Sequence, residues 1–257
     1  MLDNARIRKD FPMLTKTMQS HPLVYLDSGA TTLKPRCVID AVVDYYENYG
    51  ANAHRGDYDL SFEVDQVYEA TRKEVAQFLH AADEREIVYT SGASAGLNLV
   101  AQGFGRKFLK EGDIILTTVA EHASCVLPWM KVAQETGAQI EYIPLNEEGK
   151  VTVEAVASMM NEHVKVIALA HISNVLGYIS PIKEICSLAH QYGAVVVVDG
   201  AQSVPHIPIN VQDLDCDFLA FSAHKMCGPT GVGALYGKYE LLNAMEPIEF
   251  GGEVIDI

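Results

Sequence analysis

The sequence predicts an α/β fold, a mostly parallel seven-stranded sheet with helices on both faces. Apolar runs of strand length alternate with segments of helical periodicity along the chain, as strands joined by crossover helices require. The run Ala194-Val195-Val196-Val197-Val198 is apolar throughout, as in a strand covered on both sides. With 257 residues, 49% hydrophobic and only 21% charged, the chain can bury the core of one large domain.

Taken in order, the apolar runs place strands near Ile87–Thr90, Ile114–Thr117, Gln139–Ile143, Val164–Ala170, Ala194–Asp199, Phe218–Ser222 and Gly233–Tyr236. Helical patterns fall between them near Cys37–Tyr49, Glu63–Leu79, Ala95–Leu109, Cys125–Thr136, Val153–Asn161 and Ile182–Gln191. Asn161 and Gly193 supply turn-forming stops at two helix ends. No repeat, low-complexity tract or interdomain linker interrupts the pattern. The chain stops at Glu253-Val254-Ile255-Asp256-Ile257, soon after Gly251-Gly252, with no closing helix or strand expected there, which leaves a fragment and a natural short form both open.

A formal charge of −15 repels phosphate backbones and no basic run reverses it, so nucleic acid is excluded as a partner. The five cysteines (37, 125, 186, 216 and 227) are scattered without a CxxC pair. That spacing suits reduced thiols better than a zinc site or a disulfide framework. Met1 to Pro12 is polar where a signal peptide would be apolar, and no run reaches membrane-spanning length, so a cytoplasmic protein without a membrane partner is expected.

In open α/β sheets chemistry collects beyond the carboxyl ends of the strands. Phe221-Ser222-Ala223-His224-Lys225 follows a buried strand and precedes a glycine-rich run, a setting in which a crowded lysine can lose its proton and act as an amine nucleophile. A lysine that simply caps a strand end is the plain alternative. Thr90-Ser91-Gly92-Ala93-Ser94-Ala95-Gly96 brings backbone N–H groups to a helix N-terminus able to hold an anion; an ordinary N-cap by Ser91 or Ser94 would look the same. His122, in Glu121-His122-Ala123-Ser124, can lie on an aromatic ring and move protons, or can be a hydrogen-bonded structural residue. Asp199, at the tip of an apolar strand, is costly there unless a cation meets it. A protonated pyridine nitrogen would serve, and so would a helix-capping or metal-binding role. Neither GxGxxG nor GxxxxGK[ST] occurs; Gly228-Pro229-Thr230-Gly231-Val232-Gly233 has its lysine ahead of the loop, which disfavours nucleotide binding.

With Asp199-Gly200-Ala201-Gln202, Ser222-Ala223-His224-Lys225 and Gly228-Pro229-Thr230-Gly231 in place, the chain resembles the class V aminotransferase group of pyridoxal-phosphate enzymes. Within it the likeness is to cysteine desulfurases and selenocysteine lyases. It extends from Val24-Tyr25-Leu26-Asp27-Ser28-Gly29-Ala30-Thr31-Thr32 through Asn52-Ala53-His54-Arg55-Gly56 to Gly251-Gly252. The resemblance implies the large domain of the fold type I pyridoxal-phosphate transferases, with an N-terminal arm at 1–20, the cofactor-binding domain at 21–257, and a C-terminal small domain absent from this chain. It implies pyridoxal 5'-phosphate as cofactor, carried by Lys225, which would later move protons at the substrate carbon. Asp199 would face the pyridine nitrogen, Gln202 the phenolic oxygen, and His122 and Ala201 the two ring faces, His122 also serving as acid or base. Ala93, Ser94, Ser222 and His224 would hold the phosphate, and Asn174 would sit by the substrate carboxylate and ring oxygen.

The same resemblance implies L-cysteine as substrate, conversion to L-alanine with sulfur passed to a thiol, a sulfur-acceptor protein, a homodimer and a role in iron-sulfur cluster assembly. Three departures bear on this. Gly92-Ala93-Ser94 replaces the family's common Gly-Thr-Thr, removing one hydroxyl and about 0.5–1.5 kcal/mol of hydrogen bonding. Ala123-Ser124-Cys125 follows the stacking histidine where the family often has His-Ala-Asn, and Cys125 reads as a small buried residue opening a helix rather than a sulfur acceptor. The catalytic cysteine and carboxylate-binding arginine of the desulfurases have no counterpart among these residues, so an aminotransferase or lyase acting on another amino acid, or a cofactor-binding module without turnover, remain alternatives.

Overall fold

The computed structural model describes residues 3–54 and 56–251. Arg55, Gly252 and the terminal run 253–257 quoted above lie outside the described residues. The seven strands are β1 (Ile87–Thr90), β2 (Ile114–Thr117), β3 (Gln139–Tyr142), β4 (Val164–Ala170), β5 (Val195–Asp199), β6 (Phe218–Ser222) and β7 (Gly233–Gly237). They form one sheet in the order β1-β7-β6-β5-β4-β2-β3. β7 is antiparallel to both neighbours, β1 and β6, while the pairs from β6 to β3 are parallel. Six strands therefore point one way, and the carboxyl ends of β1, β2, β4, β5 and β6 open on the same edge.

Alternate residues of the central strands feed two cores. In β5, Val196 and Val198 pack with Ile182, Ile185 and Ala189 of one helical layer, while Val197 packs with Leu97, Val100 and Trp129 of the other. β-Branched residues suit this pleated, doubly covered position. The helices are α1 (Arg36–Asp44), which buries none of its residues, and, contributing to the layers, α2 (Asp59–Leu79), α3 (Ala93–Val100), α4 (Ala123–Thr136), α5 (Val153–Met159) and α6 (Ile182–His190). Two predicted helices contain a wide turn: the first passes into one at Tyr45–Tyr49, and α3 continues through Ala101–Gly105 into Arg106–Phe108. Gly103 and Gly105 lie in the second wide turn, where Gly105 faces Trp129 too closely for a side chain. Short helices at Asn4–Lys9, Ser203–His206, Val211–Leu214 and Tyr239–Ala244, and a ribbon pairing Thr17–Met18 with His21–Pro22, were not expected from periodicity. Such pieces are too short to show a period. Among the described residues no helix is long and apolar enough to cross a membrane.

Close backbone packing joins β7 to the site edge. Gly233 lies opposite both Thr90 and Ser222 in register, and a Cβ there would collide with the Phe221 carbonyl and lie 2.6 Å from the Gly92 Cα. Gly96 likewise lets α3 approach Ala220 of β6. Gly233→Ala is expected to destabilise the fold by about 1–3 kcal/mol, read as a lower denaturant midpoint with an unchanged slope; an unaltered midpoint would show that the contact yields freely.

Candidate active site

A cavity of about 630 Å³ opens at the carboxyl ends of the strands, and all ten residues singled out from the sequence line it: Ala93, Ser94, His122, Asn174, Asp199, Ala201, Gln202, Ser222, His224 and Lys225. They arrive from the ends of five strands, several residues sharing one strand and its turn. β1 leads through Gly92, at φ +149°, into α3. That backbone angle favours glycine, and Gly92 is the N-cap, with no side chain capping the helix. The ordinary cap by Ser91 or Ser94 is thus not formed. Ala93 N–H donates to Ser222 Oγ at 2.7 Å, and Ser94 Oγ lies 2.6 Å from Ser124 Oγ. Ser94 and Ala95 N–H have no hydrogen-bond partner among the described residues, so the helix start retains donors for an anion.

β2 is followed by the turn that carries His122. Its Nδ1 accepts the Ser124 N–H at 3.2 Å and so caps α4. A ring nitrogen that accepts cannot carry the proton, which leaves Nε2 as the protonated nitrogen of the neutral ring. Beyond β4, Asn174 sits on a tight exposed loop closed by the Ser173 N–H to Tyr178 O bond of 3.1 Å. β5 ends in Asp199, 6% exposed, with Oδ1 accepting the Ala201 N–H at 2.9 Å. Burial pushes its carboxyl above the usual range, and the Ala201 N–H, Lys225 and His122 only partly oppose that. Lys225 follows β6 on a single 3-10 turn, Ala223–Lys225.

The segment Leu26–Thr32 closes another wall, which the sequence reading left without a structural role. Gln202 Nε2 donates to Gly29 O at 2.8 Å, so one of its two N–H groups is already committed. The His224 carbonyl accepts from the Thr32 N–H at 2.9 Å, Thr32 Oγ1 at 2.9 Å and Lys34 Nζ at 3.0 Å. His224 Nδ1 lies 3.1 Å from Thr31 Oγ1, and burial, with Lys225 and Lys34 nearby, pulls its imidazole below the usual range. Contacts spanning some 190 positions leave no local signal in a sequence. Glu121 was also missed: burial pushes its carboxyl up, although the Thr118 hydroxyl and Ala170 N–H bonds ease the shift. Cys125 is fully buried and its thiol is held far toward the protonated form, chiefly by burial.

One cleft of this α/β protein thus brings together an amine, a buried acid and helix N–H donors without a partner among the described residues. The chain belongs to the class-V aminotransferase family, whose model matches residues 24–257. Members of that family are pyridoxal-phosphate-dependent. A probable cysteine desulfurase of Halalkalibacterium halodurans is 50% identical over 250 residues, covering 97% of this chain and 62% of the relative. A probable cysteine desulfurase of Synechocystis is 49% identical, covering 98% and 60%. The solved cysteine desulfurase of Thermococcus onnurineus superposes with a TM-score of 0.90 at 41% identity, covering 98% and 61%. The chain spans about three-fifths of the length of these relatives.

A raised acid favours folding while protonated, and that contribution is lost as pH rises through its shifted value. Asp199→Asn is therefore expected to stabilise the cofactor-free protein near pH 8 by about 1–3 kcal/mol, with a smaller gain near pH 5. Thermal unfolding at the two pH values checks this; a gain independent of pH would contradict it.

Proposed function

We propose that this cavity binds pyridoxal 5'-phosphate and processes the amino group of L-cysteine in the manner of a cysteine desulfurase, residues 21–257 forming the cofactor-binding domain behind an arm at 1–20. The observation that carries the reading is the meeting of Lys225 and buried Asp199 in one cleft with the unfilled donors of α3. The fit is chemical as well as steric. Asp199 makes no ion pair among the described residues, Lys225 and His122 offset its burial only in part, and a protonated ring nitrogen would supply a close cation.

When bound, the cofactor supplies an electron-withdrawing ring that accepts the charge left as a proton leaves the amino-acid α-carbon. Lys225 would hold the cofactor through its amine, and the same amine would serve as the base at that carbon. Asp199 keeps the ring nitrogen protonated. The N–H groups of Ser94 and Ala95, with Ser222 and His224, would hold the phosphate; the methyl of Ala201 and the ring of His122 would bound the two faces. Gln202, through its remaining N–H, and Asn174 serve the phenolic oxygen and the substrate carboxylate. A homodimer, a cytoplasmic setting, a thiol acceptor outside this chain and service to iron-sulfur assembly complete the reading.

No cysteine is among the residues lining the cavity, and Cys125, Cys186 and Cys216 are buried. That favours a second reading, in which the same site serves an aminotransferase or lyase, or binds cofactor without turnover. Product analysis separates them. With cofactor, L-cysteine and a small thiol supplied, alanine and sulfide in equal amounts are expected; a keto acid, or no consumption of amino acid, would select the second reading. Lys225→Ala is expected to abolish both the visible absorbance of the loaded protein and the borohydride-trapped adduct. Fluorescence of the single tryptophan, Trp129, buried in α4, should still respond to added cofactor in that variant. Persistence of a borohydride adduct would remove Lys225 from its role.

A further inference from the structure

The sheet leaves a backbone donor at the cavity edge that no strand can satisfy. β2 pairs with β4 through Ile114↔Val164, Ile115↔Val166 and Leu116↔Ile167, and ends at Thr117, whereas β4 runs on to Ala170. The Ala170 N–H points to the side that β2 has vacated. Glu121 fills the gap: its Oε2 accepts that N–H at 2.6 Å, and its Oε1 accepts the Thr118 hydroxyl at 2.8 Å. Thr118 Oγ1 in turn accepts the Ala120 N–H at 3.1 Å, closing the turn on itself.

On its other edge Ala170 is paired in register with Asp199, and the His171 N–H donates to Asp199 O at 3.0 Å. One carboxylate thus ties the turn carrying His122 to the strand tip that is locked to Asp199. Glu121 itself is not among the residues lining the cavity, and both its oxygens are engaged, so it is poorly placed to exchange protons with a substrate. From this geometry we infer that Glu121 is a positioning residue that fixes His122 relative to Asp199. The inference rests on the reading above only in that both residues act on one bound ring.

A glutamine has the same reach: its Oε1 can accept the Ala170 N–H while its Nε2 donates to Thr118 Oγ1, which has a second lone pair free. A leucine of similar length leaves the Ala170 N–H unsatisfied. Glu121→Gln, Glu121→Leu and Thr118→Val are therefore compared in the whole chain, with thermal unfolding to verify that each is folded. The first readout is amide hydrogen exchange at Ala170, followed by NMR without cofactor. Exchange should be about tenfold faster in Glu121→Leu, the cost of one lost hydrogen bond, and near wild type in Glu121→Gln. The second is the nitrogen-proton correlation of the His122 ring, assigned by its loss in His122→Gln. A single Nε2–H form is expected in wild type and Glu121→Gln, and a mixture of ring forms in Glu121→Leu and, more weakly, in Thr118→Val.

The third is pyridoxal-phosphate affinity from Trp129 fluorescence, expected to weaken about tenfold in Glu121→Leu alone among the Glu121 variants. Wild-type exchange at Ala170 and an unchanged His122 ring in folded Glu121→Leu would overturn the inference, as would equal damage in Glu121→Gln, since charge rather than the bridge would then be at work. If wild type itself fails to bind the cofactor, the proposed function falls while the first two readouts still decide the role of Glu121.

Discussion

Everything at the carboxyl edge is organised around a carboxylate buried where the strands supply no cation. Asp199 stands at the end of a valine run with a single hydrogen bond to its own turn. Isolated ionised groups in such surroundings cost several kcal/mol unless neutralised or paired. A fold tolerates that cost when the same arrangement is used in binding, which is why perturbed acids concentrate in functional clefts. The surrounding features follow from it: Ala201 bends back to donate to it, Lys225 and His122 face it across the cleft, and β4 is held in register beside it.

The strands were legible because burial on both faces demands continuous apolar runs, and β5 and β6 show this most plainly. Their direction was not. Gly233–Tyr236 reads as one more strand, and only its pairing with β1 and β6 reveals that it runs against its neighbours. The two wide turns were invisible for a related reason, since helical periodicity averages over one extra residue per turn.

Candidate site residues stood out where they sit at strand ends in company, and Asp199, Ser222, His224 and Lys225 line one cavity. Local reading gave chemistry to Asp199 and Lys225, and the resemblance implied the roles of Ser222 and His224. What neither supplied were the supports. Glu121 immediately precedes a residue that drew attention, yet its function depends on where β2 stops relative to β4, a fact of register rather than of sequence. The departure from Gly-Thr-Thr acquires a physical sense only in three dimensions. Ser94 and Ser124, 30 positions apart, share a hydrogen bond, so the altered phosphate loop and the altered residues after His122 touch each other.

The grip of Thr31, Thr32 and Lys34 on the His224 carbonyl has a consequence for how the protein comes into being. These partners are 190 to 193 positions apart, and non-local contacts of this kind form late in a folding chain because the loop must close before they repay it. A ribosome releases the early segment long before the lysine loop exists to receive it. The early segment must therefore wait until the lysine loop has been made, and the cleft cannot acquire this wall before then.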